Sequence, residues 1–189
     1  LYNAVRIPPM WSGPVGLGAK RTRTFIFQRY IIAYVFEYIC AVHLEVDFIF
    51  NTKYKINDCG LYRAWIKKCA CHYGLSSCRL VYSFMNDNSL LELNQKHLSH
   101  DAYTDIITFC SSEGKNVIAD IAISTERAGE NAHKYNVLFE NEILRLMAHG
   151  LLHCVGFKDK NKVDKRRMTA EENKLIKMFH VEQKARLDV

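Results

Sequence analysis

The stretch His149-Gly-Leu-Leu-His153-Cys-Val-Gly156-Phe-Lys-Asp159 constrains this chain more than any other. It begins inside an apolar run, Ile143 to Val155, that reads as a helix. Histidines four residues apart on a helix project from one face, about one turn from each other. Gly156 is a natural helix stop. Beyond it the chain can turn back and bring Asp159 beside the two rings. Two neutral imidazoles and a carboxylate make three ligands for a first-row metal and leave a fourth position for water, as in catalytic rather than structural sites. The negative end of the helix dipole also favours a cation there. A His-x3-His pair alone is as readily half-buried packing. The glycine stop and the acid three residues later tip the balance toward ligands.

The residue after the first histidine narrows the chemistry. In His-Glu-x-x-His peptidases that glutamate is the general base. Here the position is Gly150, so the metal is expected but the peptidase base is not.

At these residues the chain resembles the YbeY family of bacterial rRNA-maturation endoribonucleases. His149, Gly150, Leu152, His153, Gly156 and Phe157 match the family motif. The third ligand, usually histidine, falls on Asp159, as in the Bacteroidetes branch. Leu91-Glu-Leu-Asn94, His100-Asp101-x-x-Thr104-Asp105-Ile-Ile-Thr-Phe109 and Val117-Ile-Ala-Asp120-Ile121 agree as well, and Met168-x3-Glu172 fits weakly. The resemblance spans about residues 43–180. It departs at Leu98, where many members carry a functionally important arginine. It implies one zinc ion per chain and single-strand endoribonuclease activity in late 16S rRNA 3′-end maturation and ribosome quality control. The implied partners are rRNA, the small ribosomal subunit and ribosome-assembly proteins, in the cytoplasm. His149, His153 and Asp159 would act through the water on the metal. With Asp159 in place of histidine, a Zn(II) site carries net +1 rather than +2, so its water is expected to ionise less easily. The rival is a ribosome-assembly binding factor whose metal is structural and which cuts nothing.

Charge gives the RNA reading little support. The formal net charge is +6 over 189 residues. Residues 1–42 hold Arg6, Lys20, Arg21, Arg23 and Arg29 against Glu37, so the rest of the chain carries only +2. RNA binding by the core would need a local patch. Seven cysteines without framework spacing read as reduced thiols. Cys154 is expected to pack on another helix face.

Residues 1–42 stand outside the resemblance. Pro8-Pro9 and Ser12–Gly18 read as unstructured. Lys20-Arg-Thr-Arg23 then precedes the apolar run Phe25–Val42, which Arg29 and Glu37 interrupt. A dispensable or mis-started extension is favoured. A membrane anchor and an extra amphipathic element are the alternatives; an arginine near a spanning helix's centre costs roughly 2.5–3.5 kcal/mol. No membrane is expected for residues 43–189, the enzyme domain.

Within that domain, Leu44–Phe50, Arg79–Met85, Thr104–Phe109 and Val117–Ser124 read as strands, with 111–116 as the turn between the last two. Helices are expected over Leu61–Tyr73, Leu90–Leu98 after a cap-rich Asn86–Ser89, Glu126–Lys134 capped by Thr125, Phe139–Val155, and Asp164–Phe179. This order predicts an α+β fold: a small mixed β-sheet packed with helices, with the metal site at the end of the His-x3-His helix.

Further site candidates each carry a plainer alternative. Lys158, Lys160, Lys162, Lys165, Arg166 and Arg167 bracket Asp159. Lys160, Lys162, Arg166 and Arg167 are candidate phosphate contacts, or simply a solvated helix start, with Asp159 and Asp164 interspersed. Asp120 is an acid in an apolar strand, either beneath the metal helix as an acceptor for an imidazole N–H or at an edge facing water. Thr104, Asp105 and Thr108 are placed in the same groove, though strand threonines are ordinary β-formers. Tyr103 and Phe157 are candidates to stack on a splayed base, or core and rim aromatics. His97 and His100 share one loop, where spare histidines are commonly solvated, and His43, His72, His133 and His180 have no partner in sequence.

Overall fold

The computed structural model describes residues 44–187. The expectations for residues 1–42 lie outside them. The element order is β1 (Leu44–Phe50), α1 (Cys59–His72), β2 (Ser77–Met85), α2 (Asp87–Leu98), β3 (Ile106–Glu113), β4 (Asn116–Ser124), α3 (Thr125–Tyr135), α4 (Phe139–Cys154) and α5 (Lys162–Leu187).

The described strands form one sheet in the order β1-β2-β4-β3. β1, β2 and β4 run parallel, and β3 returns antiparallel on the edge. The sheet is therefore mixed, as the alternation of helical crossovers with one hairpin predicts.

Strand alternation separates two faces. Cys78, Leu80, Tyr82 and Phe84 of β2 share one face with Val117, Ala119, Ile121 and Ile123 of β4, and all are buried. Helices α1, α4 and α5 close over this face with Trp65, Leu151 and Phe179. Hydrogen bonds fix the layers to each other. Tyr82 Oη donates to the Met147 carbonyl at 3.1 Å, and Trp65 Nε1 donates to that of Leu175 at 2.8 Å. On the other face α2 lays Leu90 and Leu93 over Met85, Ile107, Phe109 and Ala122.

Local chemistry sets the boundaries. Asp58 caps α1 by accepting from Leu61 N at 2.9 Å, and Asn86 caps α2 by accepting from Ser89 N at 2.9 Å. Ser124, not Thr125, caps α3: its Oγ accepts from Arg127 N at 3.1 Å, while Thr125 donates to the Met85 carbonyl. The expected turn over 111–116 shrinks to two residues, because β3 pairs as far as Glu113 opposite Asn116 and Gly114 takes φ +60°. β3 begins at Ile106, so Thr104 lies in the preceding loop. α5 continues beyond Phe179 to Leu187.

Cys59, Cys69, Cys78, Cys110 and Cys154 are free thiols. Cys71 is disulfide-bonded and departs from the expected reduced set. No described helix is long and apolar enough to cross a membrane.

Candidate metal centre

Helix α4 lies between the sheet and α5, and its core side presses unusually close to the strands. A Cβ built on Gly150 would stand 2.8 Å from Ile121 Cγ2, 3.1 Å from Ile121 Cδ1 and 3.3 Å from Ile106 Cδ1. Glycine is needed there because the helix backbone runs directly over β4 and β3. The same contact explains why the peptidase glutamate has no counterpart. A side chain at 150 would enter the sheet, not the groove.

On the groove side His149 and His153 stand one turn apart with their rings perpendicular, edge to face, and centroids 4.4 Å apart. Each Nδ1 is tied. His149 Nδ1 lies 2.7 Å from Glu172 Oε1 on α5, and His153 Nδ1 lies 3.0 Å from the Phe157 carbonyl. A carboxylate and a carbonyl both accept, so Nδ1 carries the proton on each ring. The second bond depends on Gly156. Its φ of +96° turns the chain so that the Phe157 carbonyl faces back to the helix end.

Both Nε2 atoms are then lone-pair donors, and they face each other at 2.9 Å. That contact is unfavourable unless a cation joins them. Asp159 Oδ2 completes the cluster at 3.8 Å from His149 Nε2 and 4.0 Å from His153 Nε2. Bond lengths near 2.0–2.1 Å at tetrahedral angles place donors about 3.3 Å apart. The observed spacings bracket that value, and the three atoms form a donor set fit for one divalent ion. His149 is 14% exposed and Asp159 is 42% exposed, so the site opens to solvent on the aspartate side.

It opens into a groove of about 770 Å³ lined by α2, the loop 99–105, β3 and the three donors. Thr104, Asp105 and Thr108 line it, together with Tyr103, His100 and Leu98. Thr104 holds its loop by donating to the Ile106 carbonyl at 3.2 Å.

Other expectations are corrected. Asp120 does not lie beneath the metal helix. It is one residue out of phase with Ile121, so strand alternation turns it to the opposite face, beside Leu93, His97 and Phe109. The imidazole acceptor expected of it is Glu172, only 6% exposed, on α5. Lys160, Lys162, Arg166 and Arg167 are exposed and do not line the groove. Arg167 instead borders a separate hollow of about 270 Å³ with Lys158, Phe157 and Asp164. Phe157 is half-buried, with its ring edge-on to Tyr73 at 5.8 Å. Cys154 is buried as packing.

One functional-site feature had no expectation. Arg145, one turn before His149, pairs with buried Glu142 at 2.8 and 2.6 Å, and reaches Asp105 at 3.4 Å and Glu172 at 3.9 Å. Burial opposes its charge, but the hydrogen bonds and charge of Glu142, followed by Glu172 and Asp105, raise its pKa above the ordinary guanidinium range. Its signal in the sequence was the i−4 spacing to His149.

A mixed sheet backing a helix with paired imidazoles, and an open groove before them, defines an α+β protein with a candidate metal site facing the groove. A family model described as "Endoribonuclease YbeY" matches residues 49–180. A protein of that name from Flavobacterium psychrophilum is 39% identical over 138 residues, covering 73% of this chain and 99% of its own. One from Bacteroides fragilis is 40% identical over 114 residues, covering 60% of this chain and 82% of its own. The solution structure of the Thermotoga maritima protein TM1509 shares the fold, with a TM-score of 0.52 at 21% identity over 76% of this chain and 93% of that one. The chain belongs to the endoribonuclease YbeY family.

Proposed function

We propose that this protein is a zinc-dependent, single-strand-specific endoribonuclease acting in late 16S rRNA 3′-end maturation and ribosome quality control. The observation that carries the reading is the convergence of His149 Nε2, His153 Nε2 and Asp159 Oδ2 at the wall of an open groove. The relatives named Endoribonuclease YbeY supply the substrate class. A divalent ion held by these donors would supply Lewis acidity at the groove wall.

The chain's own residues do the rest. Glu172 and the Phe157 carbonyl orient the rings and keep both Nε2 lone pairs aimed at one point. Asp159 lowers the net charge of the donor set relative to a third histidine and would temper the acidity of an ion held there. Arg145 holds Glu142, Glu172 and Asp105, a carboxylate group that would otherwise repel itself and the substrate. Lys160, Lys162, Arg166 and Arg167, outside the groove lining, would meet flanking phosphates rather than the scissile one.

The proposed partners are rRNA, the small ribosomal subunit and its assembly proteins, in the cytoplasm. Residues 43–189 form the proposed enzyme domain, with 1–42 an extension to it. The test is single-turnover cleavage of a 16S 3′ precursor by metal-analysed protein, beside His149→Ala purified identically. Cleavage by the first alone supports the enzyme. Equal activity in both preparations marks a contaminant and sinks it. Tight binding to 30S particles without cleavage by either would favour a docking factor.

A further inference from the structure

Among the described residues, neither lysine nor arginine lines the groove that would take a polyanion. Apart from the metal ligands, its titratable lining is Asp105, His100, Tyr103 and Cys110. Its recognition of a nucleic acid must therefore draw on something besides backbone charge. Two large apolar side chains left exposed by the fold sit on its rim: Tyr103, 52% exposed, and Leu98, 44% exposed.

Tyr103 is also held from behind. The Arg127 guanidinium lies over its ring, 4.9 Å from the centroid. That guanidinium is itself clamped, to Asp87 at 2.9 Å and Glu130 at 2.9 Å. Asp87 in turn accepts from the Ser124 hydroxyl. Tyr103 Oη lies 3.4 Å from Asn88 Oδ1. A cation fixed on one ring face holds the ring in place and leaves the rest open to the groove. Phe157, the other aromatic near the donors, lacks this arrangement because its ring packs against Tyr73.

We propose that Tyr103 is the base-stacking platform of the groove, with Leu98 extending it, and that it makes the site select unpaired RNA. This rests on the endoribonuclease reading and names how that same site recognises its substrate. An unpaired nucleotide can swing its base onto an exposed ring, whereas a base inside a duplex already stacks on its neighbours. With no lysine or arginine among the described residues that line the groove, the stacked base provides the positional grip that backbone contacts would otherwise give.

The experiment scans a single 2-aminopurine through a single-stranded oligoribonucleotide. Stopped-flow fluorescence is read in the binding phase, before cleavage. The wild type should quench the probe strongly at one position. Tyr103→Phe should retain that quench. Tyr103→Leu should lose it and bind about tenfold or more weakly, with metal content and thermal unfolding unchanged. An abasic residue at the quenched position should raise KM for the wild type and leave KM of Tyr103→Leu unaffected. Wild-type binding and cleavage with an undiminished quench in Tyr103→Leu would overturn the platform while leaving the nuclease reading intact. A wild type that binds no single-stranded RNA would overturn both.

Discussion

The two sides of the metal centre are built differently. His149 and His153 stand on α4, where Ile143, Leu144, Leu146, Met147, Leu151 and Leu152 are fully buried. Each such side chain contributes about 1.5–3 kcal/mol by leaving water, so the helix cannot shift without loosening the core. Both rings are further locked at Nδ1. Asp159 stands on the loop after Gly156 and is 42% exposed. Its carboxylate lies 3.8 and 4.0 Å from the two Nε2 atoms, which are 2.9 Å from each other. The histidine side is preorganised by the fold, whereas the aspartate carboxylate stands on a half-exposed loop, farther from the two imidazole nitrogens than they stand from each other. The difference teaches that the helix would fix the direction of two ligands, while the loop would complete the set and lower its net charge.

Removing either helix ligand should produce the largest effect. His149→Ala and His153→Ala should each lose the ion, read by elemental analysis after dialysis, and lose cleavage with it. Asp159→Ala should also lose the ion, whereas Asp159→His should retain it and shift the cleavage pH profile to lower pH, since a neutral ligand leaves the site more positive. Full metal content in Asp159→Ala would break the comparison by showing that the loop contributes nothing.

Changing a supporting group should act more mildly. Glu172→Gln keeps a hydrogen-bonding shape at His149 Nδ1 but removes the charge, and should weaken metal affinity about 10–100-fold in a chelator competition. Gly150→Ala tests the packing under the histidines. The added Cβ, 2.8 Å from Ile121 Cγ2, should cost about 1–3 kcal/mol of stability in denaturant unfolding. Asp120→Asn, on the far face of the sheet, should leave metal affinity unchanged. A loss there would mean that the two faces are coupled in a way the strand alternation does not provide.

What was legible in the sequence follows from how local each signal is. The His-x3-His spacing, the Gly156 stop and the alternation of Leu44–Phe50 are short-range patterns, and each appears in place. Asp105 and Thr108 reached the groove because they sit a few residues from matched motif positions. Asp120 failed because its facing depends on which side of β4 packs on α4, and a single-residue phase decides that. Glu172 lies 23 residues from His149. Only the docking of α5 on α4 brings them together. The lysines and arginines after Asp159 were bracketed to the site by sequence, but Lys160 lies exposed in the loop and the first turns of α5 carry the others out to solvent.

The central claim is the donor set itself, and X-ray absorption at the metal edge of the zinc-loaded protein tests it most directly. The account predicts a first shell of nitrogen and oxygen near 2.0–2.1 Å with the multiple-scattering signature of two imidazoles. Asp159→His should raise that signature to three. A sulfur scatterer near 2.3 Å, or a wild-type shell already containing three imidazoles, would contradict the assignment of His149, His153 and Asp159.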